Sequence, residues 1–221
     1  MSLLGLSVLG GAIALDGTSV GQFMISRPLV AGFLTGWAIG NPLLGAVIGM
    51  VLELYLLVSF PTGGSRFPEG ATAAVVAVGS CAGVAVEGGG LLALAIAIGL
   101  VWGHVGGLTI TWLRRVNGRL VPRDGSPVPN PAHVAGIQAL TIGLDFVRGA
   151  AVVLTGLVVG RALLAGLGPH WPLDRGGSMG LVLVGASVSL GILLRDFGGF
   201  RRNRLTLAVG IALGLLGARL L

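Results

Sequence analysis

Seven charge-poor, apolar stretches, at residues 1–15, 28–52, 70–86, 88–113, 134–167, 176–194 and 205–221, leave little of this chain for a water-soluble core. Several reach the roughly 20 residues that a helix needs to cross a bilayer. Only 10% of the residues are charged, 54% are hydrophobic and the mean hydropathy is +0.96. A soluble domain of this length would carry about 25% charge. The expected fold is therefore all-α, a single polytopic membrane domain over residues 1–221 with about six to eight membrane segments. Its parts are a region of broken helices at 1–69, a helical pair at 70–113, a cytoplasmic loop at 114–133 and C-terminal helices at 134–221. The first stretch lacks a positively charged start and a small-residue cleavage site, so it reads as a retained first helix and not a secretion signal.

The net charge of +6 comes from arginine alone, since lysine is absent. Arg114, Arg115, Arg119 and Arg123 crowd one loop, and Arg195, Arg201, Arg202 and Arg204 crowd another; the positive-inside rule puts both in the cytoplasm. Two apolar stretches separate them, joined by Gly168-Pro169-His170-Trp171-Pro172, an even number of crossings. Glu87-Gly88-Gly89-Gly90 is then an outer turn. The segment 117–133, with Pro122, Pro127, Pro129 and Pro131, is a cytoplasmic surface connector. No basic stripe with interleaved aromatics marks a nucleic-acid partner. The lone Cys81 leaves no disulfide within the chain, and no residue set suggests a metal site, a nucleophile with its base or a phosphate-cradling loop, so no cofactor is expected.

Residues 22–69 break this pattern. Gln22, Arg27-Pro28, Gly40-Asn41-Pro42, Glu53, Pro61-Thr62-Gly63-Gly64 and Pro68-Glu69 place polar groups and helix breakers where lipid tolerates neither, unless they face protein or a water-filled cavity. The run 28–40 is too short to cross a hydrocarbon core of roughly 30 Å as a lone helix. Two geometries satisfy it: a long helix kinked at Gly40-Asn41-Pro42, or, preferred here, a re-entrant hairpin with that tripeptide at its tip. This span is the expected solute site.

The same span resembles the N-terminal half of the IIC membrane component of mannose-type (mannose, fructose, sorbose) sugar phosphotransferase systems. The likeness is carried by Asp16 and Gln22, Arg27-Pro28-Leu29-Val30, Gly32, Gly36, Gly40-Asn41-Pro42, Gly45, Gly49, Leu52-Glu53-Leu54 and Pro68-Glu69. A looser likeness continues at Leu144-Asp145-Phe146-Val147-Arg148-Gly149. The resemblance implies a permease of the bacterial inner membrane that pairs with a second membrane subunit, IID, as a trimer of IIC–IID pairs. It further implies a hexose substrate, phosphorylated by a cytoplasmic IIB protein that is charged on histidine through IIA. The IIC chain itself has no catalytic residue in that scheme. Where the family usually has Gly-Asp, this chain has Gly40-Asn41, and it is somewhat short.

A sugar site in a membrane needs amides and carboxylates that form paired hydrogen bonds in apolar surroundings. Gln22 and Glu53 meet that need best; Glu53 is either a solute contact or a buried partner of Arg27 or Arg66. Asp16 and Ser26 are weaker, because either can cap a helix and Asp16-Gly17-Thr18-Ser19 reads as a turn. Arg27, ahead of a first-turn proline, is a structural anchor for a carboxylate across the site or a headgroup contact. Asn41 contacts solute from the hairpin tip or caps the next helix, and Glu69 is part of a gate or stabilises a helix N-terminus. Asp145 and Arg148, three apart, form a neutralising pair or a partner contact. His104 has no acid near it in sequence to make it a proton relay.

The function expected is a permease subunit that binds and translocates a hexose. The alternatives left by the sequence are a degenerate structural or regulatory subunit of an incomplete phosphotransferase system, and a secondary transporter not coupled to phosphotransfer.

Overall fold

The computed structural model describes residues 1–57, 65–84, 90–120 and 130–220. The Pro61-Thr62-Gly63-Gly64 loop, the Glu87-Gly88-Gly89 part of the outer turn, Arg123 and the prolines at 122, 127 and 129 lie outside the described residues. Among those described, every regular element is helical: α1 (Leu3–Thr18), α2 (Pro28–Ala38), α3 (Pro42–Leu56), α4 (Gly70–Ser80), α5 (Gly90–Asn117), α6 (Pro131–Leu167), α7 (Arg175–Asp196), α8 (Gly199–Arg202) and α9 (Arg204–Leu220), with a 3₁₀ turn at Gly168–His170 after α6. Three helices, the 28-residue α5, the 37-residue α6 and the 22-residue α7, are long and apolar enough to cross a membrane.

Helices α2 and α3 form an antiparallel hairpin, not one kinked helix. Gly40, at φ 86°, supplies the left-handed residue that reverses the chain. Asn41 then starts α3, its Oδ1 accepting from the Leu44 amide at 3.0 Å, with Pro42 in the first turn. At about 1.5 Å per residue, arms of 11 and 15 residues are shorter than the bilayer core. Small residues let the arms touch backbone to backbone, as lipid-embedded packing requires: a Cβ on Gly36 would sit 2.6 Å from the Asn41 carbonyl oxygen and 2.8 Å from the Gly45 Cα. Gly32 faces Gly49 in the same way. Gly36→Ala should therefore cost about 1–3 kcal/mol by overpacking, read as a lowered melting temperature of the detergent-solubilised protein; an unchanged temperature would refute this packing account.

Within the apolar run at 70–86 the described helix is short. This helix, α4, ends at Ser80, and the chain turns through Cys81–Val84 with Gly83 at φ 81°. Residues 71–80 are all buried, so this small-residue helix is the centre of the molecule and is apolar on every side. Helix α2 runs beside it from the same end, Pro28 lying against Gly70. Helix α5 runs antiparallel to it, with Gly99 at Ala73 and Ala77 and Gly103 at Ala73. Helix α6 runs parallel to it, with Arg148 at Glu69 and Gly160 at Ser80. Helix α1 packs antiparallel on α6 through Gly10, Gly11 and Gly149. Helices α5 and α7 leave one end together, where the Ser178 hydroxyl donates to the Gly90 carbonyl at 3.2 Å. Their basic C-terminal turns, Arg114 with Arg115 and Arg195, accordingly point the same way.

Candidate functional site

The end of the molecule where α1 and α3 finish and α2 and α4 begin encloses a cavity of about 380 Å³, within the range of roughly 300–1,000 Å³ typical of small-molecule sites. Its walls include Asp16, Gln22, Ser26, Arg27, Glu53 and Glu69 among apolar groups such as Leu56, Phe67, Pro68 and Ile110. Of the seven residues weighed for the site in the sequence, six thus share one cavity. Asn41 does not: besides capping α3 it lines a cleft of about 180 Å³ with Ile39, Cys81 and Val84, at the opposite end of the hairpin.

Asp16 is not in a turn, since α1 continues through Thr18. From the last turn of that helix its carboxylate gathers the following loop. Oδ1 accepts from the Phe23 amide at 2.6 Å, and Oδ2 accepts from both the amide and the hydroxyl of Ser26 at 2.9 Å. Within the gathered loop, Gln22 (φ 57°) and Met24 (φ 65°) hold left-handed conformations, unfavourable for side chains of their kind. Gln22 is exposed to the cavity, and its amide group makes no hydrogen bond among the described residues.

Glu53 pairs with Arg27 and not with Arg66. Arg27 Nη1 donates to Glu53 Oε1 at 3.1 Å, and the Leu29 amide, in the first turn of α2, donates to Oε2 at 3.3 Å. This single-bond pair is half open, with 40% of the Arg27 side chain and 21% of the Glu53 side chain accessible.

Glu69 sits in a different environment. Its side chain and that of Arg148 are each 5% exposed, and the guanidinium grips the carboxylate through both nitrogens, Nη2 to Oε1 at 2.7 Å and Nη1 to Oε2 at 2.9 Å. Bidentate pairing of this kind fixes orientation as well as charge. The Thr72 hydroxyl donates to Oε2 at 3.0 Å. Asp145 pairs with Arg148 as the spacing predicts, accepting from Nε at 2.8 Å, and it also accepts from the hydroxyls of Thr18 and Ser19. Arg148 Nη1 further donates to Thr109 at 3.1 Å. One arginine, with Asp145, therefore ties the C-terminal end of α1 and the N-terminal end of α4 to the bodies of α5 and α6 behind the cavity wall.

The segment 65–69 that delivers Glu69 lies along a glycine face of α5. The Glu69 amide donates to the Gly103 carbonyl at 2.8 Å, and a Cβ on Gly106 would come within 2.5 Å of Glu69 Oε2. Arg114 holds the outer part of the segment, donating to the Ser65 carbonyl at 3.1 Å with its guanidinium over the Phe67 ring. The long-range partners of Glu69 escaped the sequence reading, because Asp145 and Arg148 already balance as a local pair and conceal the demand for a third charge. Among the described residues His104 bonds only to its own helix, Nδ1 lying 2.8 Å from the Leu100 carbonyl oxygen. Among the described residues no group of acids, histidines and cysteine is arranged to hold a metal ion.

No curated protein sequence matches the chain significantly. Among solved structures, one described only as a membrane protein is similar over 99% of this chain and 92% of its own, at a TM-score of 0.71 and 18% identity. A chain of the mannose transporter ManYZ, solved with the microcin E492, is similar over the same shares at a TM-score of 0.59 and 20% identity. Likenesses at these identities establish the fold, that of a helical membrane protein. The family model for the sorbose-specific IIC component of the sugar phosphotransferase system matches residues 1–162, and the chain belongs to that family.

Proposed function

We propose that this chain is the sugar-translocating subunit of a mannose-type phosphotransferase system in the bacterial inner membrane, and that a hexose binds in the cavity between Gln22, Arg27, Glu53 and Glu69. The observation that carries this reading is the convergence of an unengaged amide, a half-open ion pair and a clamped carboxylate on one cavity of sugar-compatible size. A neutral polyol needs acceptors and donors side by side, and the apolar wall keeps water from competing for them. Gln22 supplies both kinds of group, Glu53 accepts, and Glu69 borders the cavity with its carboxylate held in place by Arg148. Asp16 shapes the loop that carries Gln22, and Asn41 serves the hairpin tip.

In this reading the sugar is phosphorylated by a cytoplasmic IIB protein charged on histidine through IIA, and a IID subunit completes the membrane complex as a trimer of IIC–IID pairs. The arginine-rich ends of α5 and α7, facing one way, agree with a cytoplasmic side at the cavity. Glu53→Ala should lower hexose uptake at least tenfold in cells that carry the remaining components, with membrane insertion unchanged. Undiminished uptake by that variant would remove the cavity from consideration. Accumulation by the chain alone in proteoliposomes would instead favour a transporter uncoupled from phosphotransfer.

A further inference from the structure

We propose that the Arg27–Glu53 pair is a specificity determinant that makes the cavity reject phosphorylated sugars while admitting neutral ones. The inference rests on the hexose-binding reading above and adds to it what the site excludes.

Arg27, which lines the cavity, and Arg148, which backs its wall, differ in what remains free to bind. Arg148 is spent: its Nε, Nη1 and Nη2 all donate to Asp145, Glu69 or Thr109, and its side chain is buried. Arg27 lines the cavity itself, is 40% exposed, and uses Nη1 alone, on Glu53, among the described residues. A guanidinium with free donors in a partly apolar cavity is a strong site for a phosphate ester, which it can bind through two parallel bonds. Left alone, Arg27 would make this cavity retain a sugar phosphate. Glu53 prevents that by occupying Nη1 and cancelling its charge.

The rest of the wall acts in the same direction. Three lining carboxylates, Asp16, Glu53 and Glu69, stand against one lining guanidinium, Arg27, leaving two negative charges. Behind the wall, Arg148 and Asp145 add one charge of each sign, and Arg114, stacked on the lining Phe67 ring, adds one positive charge, so the excess is one negative charge. A neutral hexose is indifferent to this excess, whereas a phosphate ester with close to two negative charges is repelled by it in surroundings that screen weakly. Once a sugar in the cavity is phosphorylated, the wall that accepted it disfavours it. Substrate and product are then separated by charge.

The test uses the full chain co-purified with its membrane partner in nanodiscs. Whichever of mannose, fructose, sorbose and glucose binds tightest is the labelled probe, and its phosphate ester is the competitor. In the wild type the ester should bind at least tenfold more weakly than the parent sugar. Glu53→Gln should narrow that ratio by tenfold or more, Arg27→Gln should widen it, and the double variant should return it toward the wild-type value. Opposite shifts from two neighbouring substitutions are not produced by a general loosening of the fold, and a ratio is insensitive to loss of active protein. Hexose binding with a ratio unchanged in Glu53→Gln, or an ester that binds the wild type as tightly as the sugar, overturns the filter and leaves the hexose site standing. Failure of all four sugars to bind the wild type overturns the hexose site, and the filter with it.

Discussion

Arg148→Met should abolish accumulation of folded protein in the membrane. The guanidinium neutralises two carboxylates that have no other cation beside them among the described residues, Glu69 at 2.7 Å and Asp145 at 2.8 Å. Removing one member of a buried ionic cluster costs about 3–5 kcal/mol, because the remaining charge stays desolvated without a partner. Here two carboxylates would be stranded in a protein whose total stability is on the order of 5–15 kcal/mol. The loss also loosens three other helices from α6, since the same cluster reaches Thr18 of α1 with the following Ser19, Thr72 of α4 and Thr109 of α5. Yield and monodispersity on size exclusion in detergent measure the effect directly. A triple variant, Glu69→Gln with Asp145→Asn and Arg148→Met, carries no charge in the cluster and should recover much of the folded yield. A single variant with wild-type yield and thermal stability would show that the cluster is not a structural tie. A triple variant as poor as the single one would show that loss of geometry, not charge, is responsible.

What could be read in the sequence follows from how far each signal reaches along the chain. The hairpin at Gly40-Asn41-Pro42 was legible because its causes are local: a short apolar run, a residue free to take positive φ, and a proline that starts the next helix. The parallel course of α5 and α7 was legible because arginine placement is a property of loops, independent of packing. Hydropathy alone did not reveal that α4 is enclosed by protein, since it cannot distinguish a helix buried in protein from one bathed in lipid; α4 is apolar on all sides for the first reason. Residues 22–69 stood out because polar groups in such a span need a purpose. The purposes of its members were less so. Asn41 and Glu53 are equally conspicuous in sequence, yet they lie at opposite ends of the same hairpin, and only the antiparallel fold of α2 on α3 reveals it. Glu69 and Arg148 are 79 residues apart, a distance over which no periodicity carries information.

The site that results is built unevenly, and that unevenness suggests how it operates. One wall is fixed: Glu69 has the extended segment 65–69 against the glycines of α5 on one side and Arg148 on the other. The other wall, formed by the 19–27 loop and the Arg27–Glu53 pair, is more exposed. Solute-dependent rearrangement belongs on the wall with the lower local stability, which makes the organisation of that loop decisive for activity.

Asp16→Ala should accordingly suppress hexose uptake by roughly a hundredfold, the scale on which misplacing a binding group by about 1 Å acts, with little change in thermal stability. The left-handed backbone at Gln22 and Met24 costs about 1–3 kcal/mol at each residue. Against this, the Asp16 carboxylate accepts three hydrogen bonds from Phe23 and Ser26, each worth about 1.5–3 kcal/mol when the acceptor is charged. The carboxylate outweighs the strain, so removing it lets both residues relax toward ordinary conformations and carries the Gln22 amide away from the cavity. Because the loop is exposed and α1 packs on α6 through Gly10 and Gly11, the helical body should unfold at nearly its normal temperature. Asp16→Asn should be intermediate, as its amide keeps one acceptor oxygen but turns a donor toward the Ser26 amide. Adding Met24→Gly to Asp16→Ala removes one source of strain and should restore part of the uptake, an outcome that direct solute binding by Asp16 does not predict. Full uptake by Asp16→Ala would mean that the loop holds its shape without the carboxylate.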